Sequence, residues 1–341
     1  MSQFDVTPEI QELLNKLATK YDAMGQDMVS YLDGLLYSDY LTYWDYIHLD
    51  TLLSLQTPRT NYPDEQIFIV YHQITELYFK LIQTEIDQLI NLQNFDLDKI
   101  LKHLQRVNNY FKHLGASFDV MTYGMDQKQF LKFRMALLPA SGFQTVQYRE
   151  IEIKLTDLYN LTGDSARDAL SPDDPLEKLY ENIYFKLGGR ELKSGKKTLT
   201  LRMFEEKYDK HLLDLAHNRK DSNLRAHFAG LAEERRNIPE LKDQLRELDL
   251  NANVFWRLSH YKAAARYLQR DPVDIAATGG TNWQKYLPPR FQRIIFFPEL
   301  WTDEQKAEWG KAWVLQLFEE RVEGKWSSKL RDNQQKLKEM D

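Results

Sequence analysis

Any metal held by this chain must be ligated by histidines or carboxylates, because its 341 residues include eight histidines and no cysteine. The missing thiol excludes disulfides, thiolate-ligated haem, iron–sulfur clusters, cysteine zinc sites and a cysteine nucleophile. The histidines are His48, His72, His103, His113, His211, His217, His227 and His260. No HExxH occurs, and no pair has zinc spacing with a third ligand in view. His211 and His217 are too far apart in sequence to share one helical face and read as surface groups. His103 and His113 fall off the apolar stripe of their helix. His72, in FIVYHQITELYFK, has Phe68 and Glu76 as its one-turn neighbours. The plain reading is a core histidine bonded to a backbone carbonyl or to Glu76. His260 lies in VFWRLSHYKAAARYL, where residues 263–265 are all alanine. The turn after it therefore lacks bulk, which suits either a flat ligand lying across the imidazole or close helix packing. Arg134 stands before a helix break in FLKFRMALLPASGF. An arginine there is either structural or a bidentate grip on a carboxylate. ATGGTN, at 277–282, is either a backbone anion nest or a flexible turn.

Helices must position these groups. Thr7, Pro8 and Glu9 form a helix start, followed by Ile10, Leu13, Leu14, Leu17 and Tyr21 at helical spacing. An aromatic segment runs from Ser38 to Gln56, and TPRTNYP at 57–63 has loop composition. One long helix is expected from Asp64 to about Asn91. Ile67, Val70, Ile74, Leu77 and Leu81 form its stripe, widened by Phe68, Tyr71, Tyr78 and Phe79, so it should be largely buried. Further helices are expected at about 97–114 with Gly115 as the stop, 126–137, 144–158, 200–218 and 239–269. Residues 188–199 read as an exposed basic loop. TLTLRMF, at 198–204, is the only alternating run, and Thr302 with Gln305 forms a capping box. The class is all-α. A single domain spans 1–341, with a small helical subdomain at about 160–235 and a charged tail at 325–341.

Lys and Arg total 45 against 51 Asp and Glu, a net charge of −6. That balance argues against nucleic acid as partner, since phosphate neutralisation needs a basic surface. The opening MSQFDVTPEIQELL lacks a secretory pattern, and no run of about 18 apolar residues is present to span a membrane. A cytoplasmic protein is expected. Aromatic residues reach 13%, which suits a pocket for a flat ligand as well as an aromatic-rich core.

Six segments occur in a telling order: YxxYIHLDTLLSLQ, DEQIFIVYHQITELYFK, FRMALLPASGFQTVQYREIE, FWRLSHYKAAARYL, ATGGTNWQKYL and FPELW. Together, from about Tyr43 to Trp301, they closely resemble the tryptophan 2,3-dioxygenase family. The HQxxELxFK and FRxxLxPASGFQxxQYRxxE motifs are long and specific. The resemblance implies a helical bundle around a haem pocket, with haem b and O₂ opening the indole C2–C3 bond of L-tryptophan to give N-formylkynurenine. It puts His260 at the axial iron ligand, Ser141 and Ala264 beside the cofactor, and His72 at the indole N–H. It puts Arg134 on the substrate carboxylate, Phe68 and Phe130 on the walls around the indole, and Thr278 on the ammonium group. Tyr43 and Tyr46 fall on a segment that reaches a neighbouring subunit's pocket, which implies a homotetramer. The chain departs from the family's usual pattern at Thr281, Asn282 and Trp283, in a longer stretch between His260 and Thr278, and in the bulk of Tyr71. A related haem oxygenase acting on a modified indole or another aromatic amino acid, and a silent haem-binding homologue, are the alternatives.

Overall fold

The structure, a computed structural model, describes residues 5–38, 41–191, 194–269, 284 and 287–311. Thr278, the 278–283 turn and the charged tail at 325–341 lie outside the described residues. The described residues form helices and no strand; isolated bridges join Thr162 to Ile183 and Arg190 to Lys197. No described helix is long and apolar enough to cross a membrane.

The chain divides into two compact units, the first ending at Gln56. The first holds α1 (Pro8–Ala23), α2 (Met28–Leu36), α3 (Tyr43–Tyr46) and α4 (Leu49–Ser54). Thr7 caps α1 through Ile10 N, with Pro8 in its first turn, as the sequence leads one to expect. Gly25 then turns the chain at φ +65°, a backbone conformation that costs a residue without Cβ nothing. Tyr21 stacks on Tyr31 at 4.5 Å between ring centroids. No residue of these four helices is buried, although they carry Leu13, Leu35, Leu36, Trp44 and Leu53. Among its described residues this unit has no buried core of its own.

The second unit is built on α5 (Asp64–Ile90), which packs along α6 (Leu97–Ser117) and against α9 (Val146–Leu155). Between them come α7 (Asp119–Tyr123) and α8 (Gln127–Phe133), the latter continuing into a 3₁₀ turn, Arg134–Leu137. Helices α10 (Asp164–Arg167), α11 (Leu176–Glu181), α12 (Tyr184–Gly188), α13 (Leu199–Arg219), α14 (Leu224–Ala229) and α15 (Glu233–Arg236) follow. Then α16 (Pro239–Leu250) packs on α6 and runs through a π-helical turn, Asn251–Phe255, into α17 (Trp256–Leu268). Phe79, Ile82, Ile86, Leu104, Val107, Phe111 and Leu248 lie in the fully buried centre.

The loop before α5 is held by a buried carboxylate. Glu65 accepts from Arg59 N at 2.7 Å, Thr60 N at 2.8 Å and the Thr60 hydroxyl at 2.5 Å. Burial raises its pKa, but these donors outweigh burial and leave it below the ordinary carboxylate value.

Several expectations are corrected. The stripe on α5 is not buried along its length: Ile74, Leu77 and Leu81 are 40%, 53% and 45% exposed. The helix turns Tyr71, Phe79, Ile82, Ile86 and Leu89 to the core instead. Gly115 does not stop α6, which continues to Ser117. A Cβ at Gly115 would lie 3.7 Å from Ser259 Oγ, so glycine here serves the close approach of α17. The alternating run at 198–204 is the start of α13, capped by Thr198 through Leu201 N. The helix expected at 126–137 ends in a 3₁₀ turn, the one expected at 144–158 runs only over Val146–Leu155, and the one expected at 239–269 is interrupted by the π turn. The 188–199 loop is not wholly exposed, since Thr198 is buried and Lys197 pairs with Glu205 at 2.8 Å.

Candidate active site

Helix α17 is packed on nearly every side. Trp256 to Ser259, Lys262, Ala263, Ala265, Tyr267 and Leu268 are all buried. His260 is nevertheless exposed, and Ala264, one turn later on the same face, is partly so. Arg266 is exposed and Tyr261 partly buried on other faces, but His260 and Ala264 share one i, i+4 edge of a helix whose other side chains are mostly buried, and that edge is open to a space inside the fold. Protein surrounds that space: burial pushes the His260 pKa down to about 4, and the His72 imidazole is the second influence on it. The ring is therefore a neutral imidazole at neutral pH. Phe118 stacks on it, with centroids 5.5 Å apart and planes 24° apart.

His72 projects from α5 on the other side. Its Nδ1 lies 2.7 Å from the carbonyl of Phe68, so the plain reading of a backbone-bonded histidine holds for one nitrogen. Its expected alternative partner, Glu76, accepts instead from Gln147 Nε2 at 2.8 Å. The bond to Phe68 puts the ring hydrogen on Nδ1 and leaves Nε2 an acceptor. Burial is the main influence on its pKa and lowers it, against smaller opposing effects of the Phe68 carbonyl and Glu76. A Cβ on Gly142 would lie 3.9 Å from Nε2, so the glycine backs directly onto the acceptor. Sequence reasoning passed over Gly142, although it sits inside the PASGF break.

The aromatic groups close the space around these imidazoles. Phe68 lies 4.1 Å from the His72 ring and 6.3 Å from Phe130, centroid to centroid. Phe130 packs on Tyr267 of α17 at 4.8 Å, and the Tyr267 hydroxyl donates to the carbonyls of Met121 and Met125. This ties α8 to α17. The bulky Tyr71 points away into the core, 3% exposed, with its hydroxyl 3.2 Å from Ser117 Oγ. A chain of ring contacts, His72–Tyr71–Phe118–His260, joins the two imidazoles.

Arg134 is 4% exposed, and its guanidinium lies 5.9 Å from the centre of the Phe130 ring. Burial lowers its pKa. The next stretch is braced from α13: the Thr200 hydroxyl donates to Pro139 O at 3.1 Å, and Gln144 Nε2 donates to Thr200 O at 3.4 Å. Ser141 uses its hydroxyl to accept from Phe143 N at 3.3 Å, while the Gln144 side chain accepts from Ser141 N. The structure thus brings His72, Phe68, Phe130, Arg134, Ser141, His260 and Ala264 onto α5, α8, the 134–144 turns and α17 of one unit. Tyr43 and Tyr46 belong to the other unit and are 69% and 72% exposed. Thr278 lies outside the described residues.

Comparison with known proteins bears on this arrangement. A family model described as tryptophan 2,3-dioxygenase matches residues 34–181. The tryptophan 2,3-dioxygenase of Ruegeria sp. (strain TM1040) is 30% identical over 275 residues, which cover 78% of this chain and 92% of that protein. That of Shewanella woodyi is 30% identical over 269 residues, 76% of this chain and 88% of that protein. That of Bacillus thuringiensis subsp. konkukian is 28% identical over 279 residues, 79% and 94% respectively.

Proposed function

The chain belongs to the tryptophan 2,3-dioxygenase family, and we propose that it opens the indole ring of L-tryptophan with O₂, giving N-formylkynurenine, at a haem b held by His260. The observation that carries this reading is the pair of imidazoles, one on the open edge of a buried helix and the other within its electrostatic reach. The residues fit a haem. His260 is neutral and so has a lone pair for iron, and Ala264, whose small side chain leaves room for a flat ring, continues the open edge, while Ala263 and Ala265 are packed in the core. Ser141 lies in the turn beside Gly142 and His72. Bound haem supplies the iron that activates O₂ for insertion of both oxygen atoms into the indole C2–C3 bond.

The chain's own contribution is positioning and exclusion of water. The Arg134 guanidinium grips the substrate carboxylate in a buried setting, where a charge-assisted bidentate contact is strong. Phe68 and Phe130 flank the indole. His72 Nε2 accepts from the indole N–H, and its bond to Phe68 keeps the acceptor aimed. Thr278 takes the substrate ammonium. Placing the carboxylate, the ring N–H and the ring faces at once sets the C2–C3 bond in one orientation.

The active form is a homotetramer in which Tyr43 and Tyr46 complete a neighbour's pocket. A four-helix segment with no buried residue, and an α5 face with Ile74, Leu77 and Leu81 uncovered, support assembly. The test is to reconstitute the full chain with haem, reduce it without oxygen, then add air and L-tryptophan. A Soret shift with a ring-opened product carrying two added oxygen atoms is expected. A product with one added oxygen would move the reading to another indole oxygenation, and absence of specific haem uptake would overturn it.

A further inference from the structure

Arg257 sits one turn before His260 and is 7% exposed. Its Nη2 donates to Glu152 Oε1 at 3.1 Å and to Asn253 Oδ1 at 3.5 Å. Glu152, on α9, is completely buried and also accepts from Tyr184 OH at 2.7 Å and Arg149 Nη1 at 3.1 Å. The Tyr184 ring lies 4.6 Å from the Arg257 guanidinium and 5.3 Å from that of Arg149. One carboxylate thus serves two buried guanidiniums among the described residues, and the Nε atoms of both arginines are buried without a hydrogen-bond partner.

The π turn, Asn251–Phe255, ends two residues before Arg257. Such a turn holds one residue more than the α-helix needs, and it recurs at functional sites. Relaxing it to α-helix would carry every later residue round the axis by about 100°. For His260 that is the difference between facing the open space and facing packed core. Of the contacts that hold α17 in its present register, the one from Arg257 grips the helix between the π turn and His260.

We infer that Glu152 is a positioning residue which, through Arg257, selects the register of α17 that aims His260 into the site. The inference rests on His260 being the haem ligand. Without the carboxylate the two buried guanidiniums lose their shared counter-charge, and the polar contacts left on α17, such as that of the Tyr267 hydroxyl with Met121 O, lie beyond His260.

The test uses the full haem-loaded chain in the ferrous state, read by the resonance Raman iron–histidine stretch and by steady-state kinetics. The variants are Glu152→Gln, Glu152→Asp and Tyr184→Phe. The control is Leu179→Ala, which empties a buried position on α11, a helix packed against α13. Wild type should show one band. Glu152→Gln should split or shift it and lower kcat about tenfold with KM changed less than twofold. Glu152→Asp should restore the single band in part, and Tyr184→Phe should give a smaller change in the same direction. An unchanged band in Glu152→Gln, or the same change in Leu179→Ala, overturns the inference. If Glu152→Gln fails to fold, Tyr184→Phe decides: an unchanged band refutes it. A wild-type sample without an iron–histidine band overturns the assignment of His260 itself, separately from the role of Glu152.

Discussion

Replacing Arg134 with alanine tests the substrate geometry most directly. The guanidinium is 4% exposed and close to Phe130, so water cannot stand in for it when the substrate carboxylate arrives. Truncating one partner of a buried, hydrogen-bonded charge pair costs about 2–5 kcal/mol. At about 1.4 kcal/mol per tenfold change, kcat/KM for L-tryptophan should fall between about 30-fold and about 4,000-fold, mainly through KM. Arg134→Lys should lie between, since it keeps the charge but loses the planar fork. The assay is initial-rate formation of the ring-opened product, run in parallel with tryptamine, which carries the same indole and ammonium but no carboxylate. The loss should be confined to the amino acid. An equal fold-loss with tryptamine would mean that Arg134 supports the pocket generally, and an unchanged KM for L-tryptophan would remove it from the substrate site.

Four further outcomes follow from the same geometry. His260→Ala should abolish stoichiometric haem uptake while leaving the helical circular dichroism intact; normal uptake would sink the ligand assignment. The acid limb of kcat/KM should lie below pH 6.5, because burial lowers the His72 pKa and protonation would destroy the Nε2 acceptor; a limb at or above 6.5 counts against that role. Leu77→Glu, at a position 53% exposed on α5, should reduce the mass seen by sedimentation without unfolding the chain, and an unaltered mass would clear that face of a part in assembly. Glu65→Gln should cost about 1–3 kcal/mol at pH 7 by weakening the bonds from Arg59 and Thr60. Because the folded pKa of Glu65 lies below its unfolded value, its contribution is present above about pH 4.3 and fades as pH falls through the folded value. Denaturant melts of wild type and variant should therefore converge in acid, and a constant gap would refute the ionised carboxylate.

The expectation for α5 shows where periodicity stops. Its apolar positions are spaced for a helix, and the helix forms over Asp64–Ile90. Periodicity marks which residues share a face but not what covers that face. The core took Tyr71, Phe79, Ile82 and Ile86, leaving Ile74, Leu77 and Leu81 uncovered in the single chain. Gly115 misled for a related reason. A glycine can end a helix or admit a neighbour, and only the position of Ser259 on α17 tells which.

What the sequence determined by itself is local or chemical. Thr7 with Pro8 and Thr302 with Gln305 start helices where they stand, because caps act over three or four residues. The lack of cysteine limited metal ligation to imidazole and carboxylate, and the long motifs placed His72, Arg134 and His260 in one family's pattern. Tertiary structure alone decided the rest, because those facts depend on residues far apart in the chain. Gln147, from α9, bonds Glu76, while His72 bonds the Phe68 carbonyl. The packing of α17 left His260 open while burying its neighbours. Glu152, more than a hundred residues earlier, became the partner of Arg257. The π turn before it leaves no mark in the apolar periodicity, since one extra residue is absorbed within a buried stretch that is apolar or amide on every side.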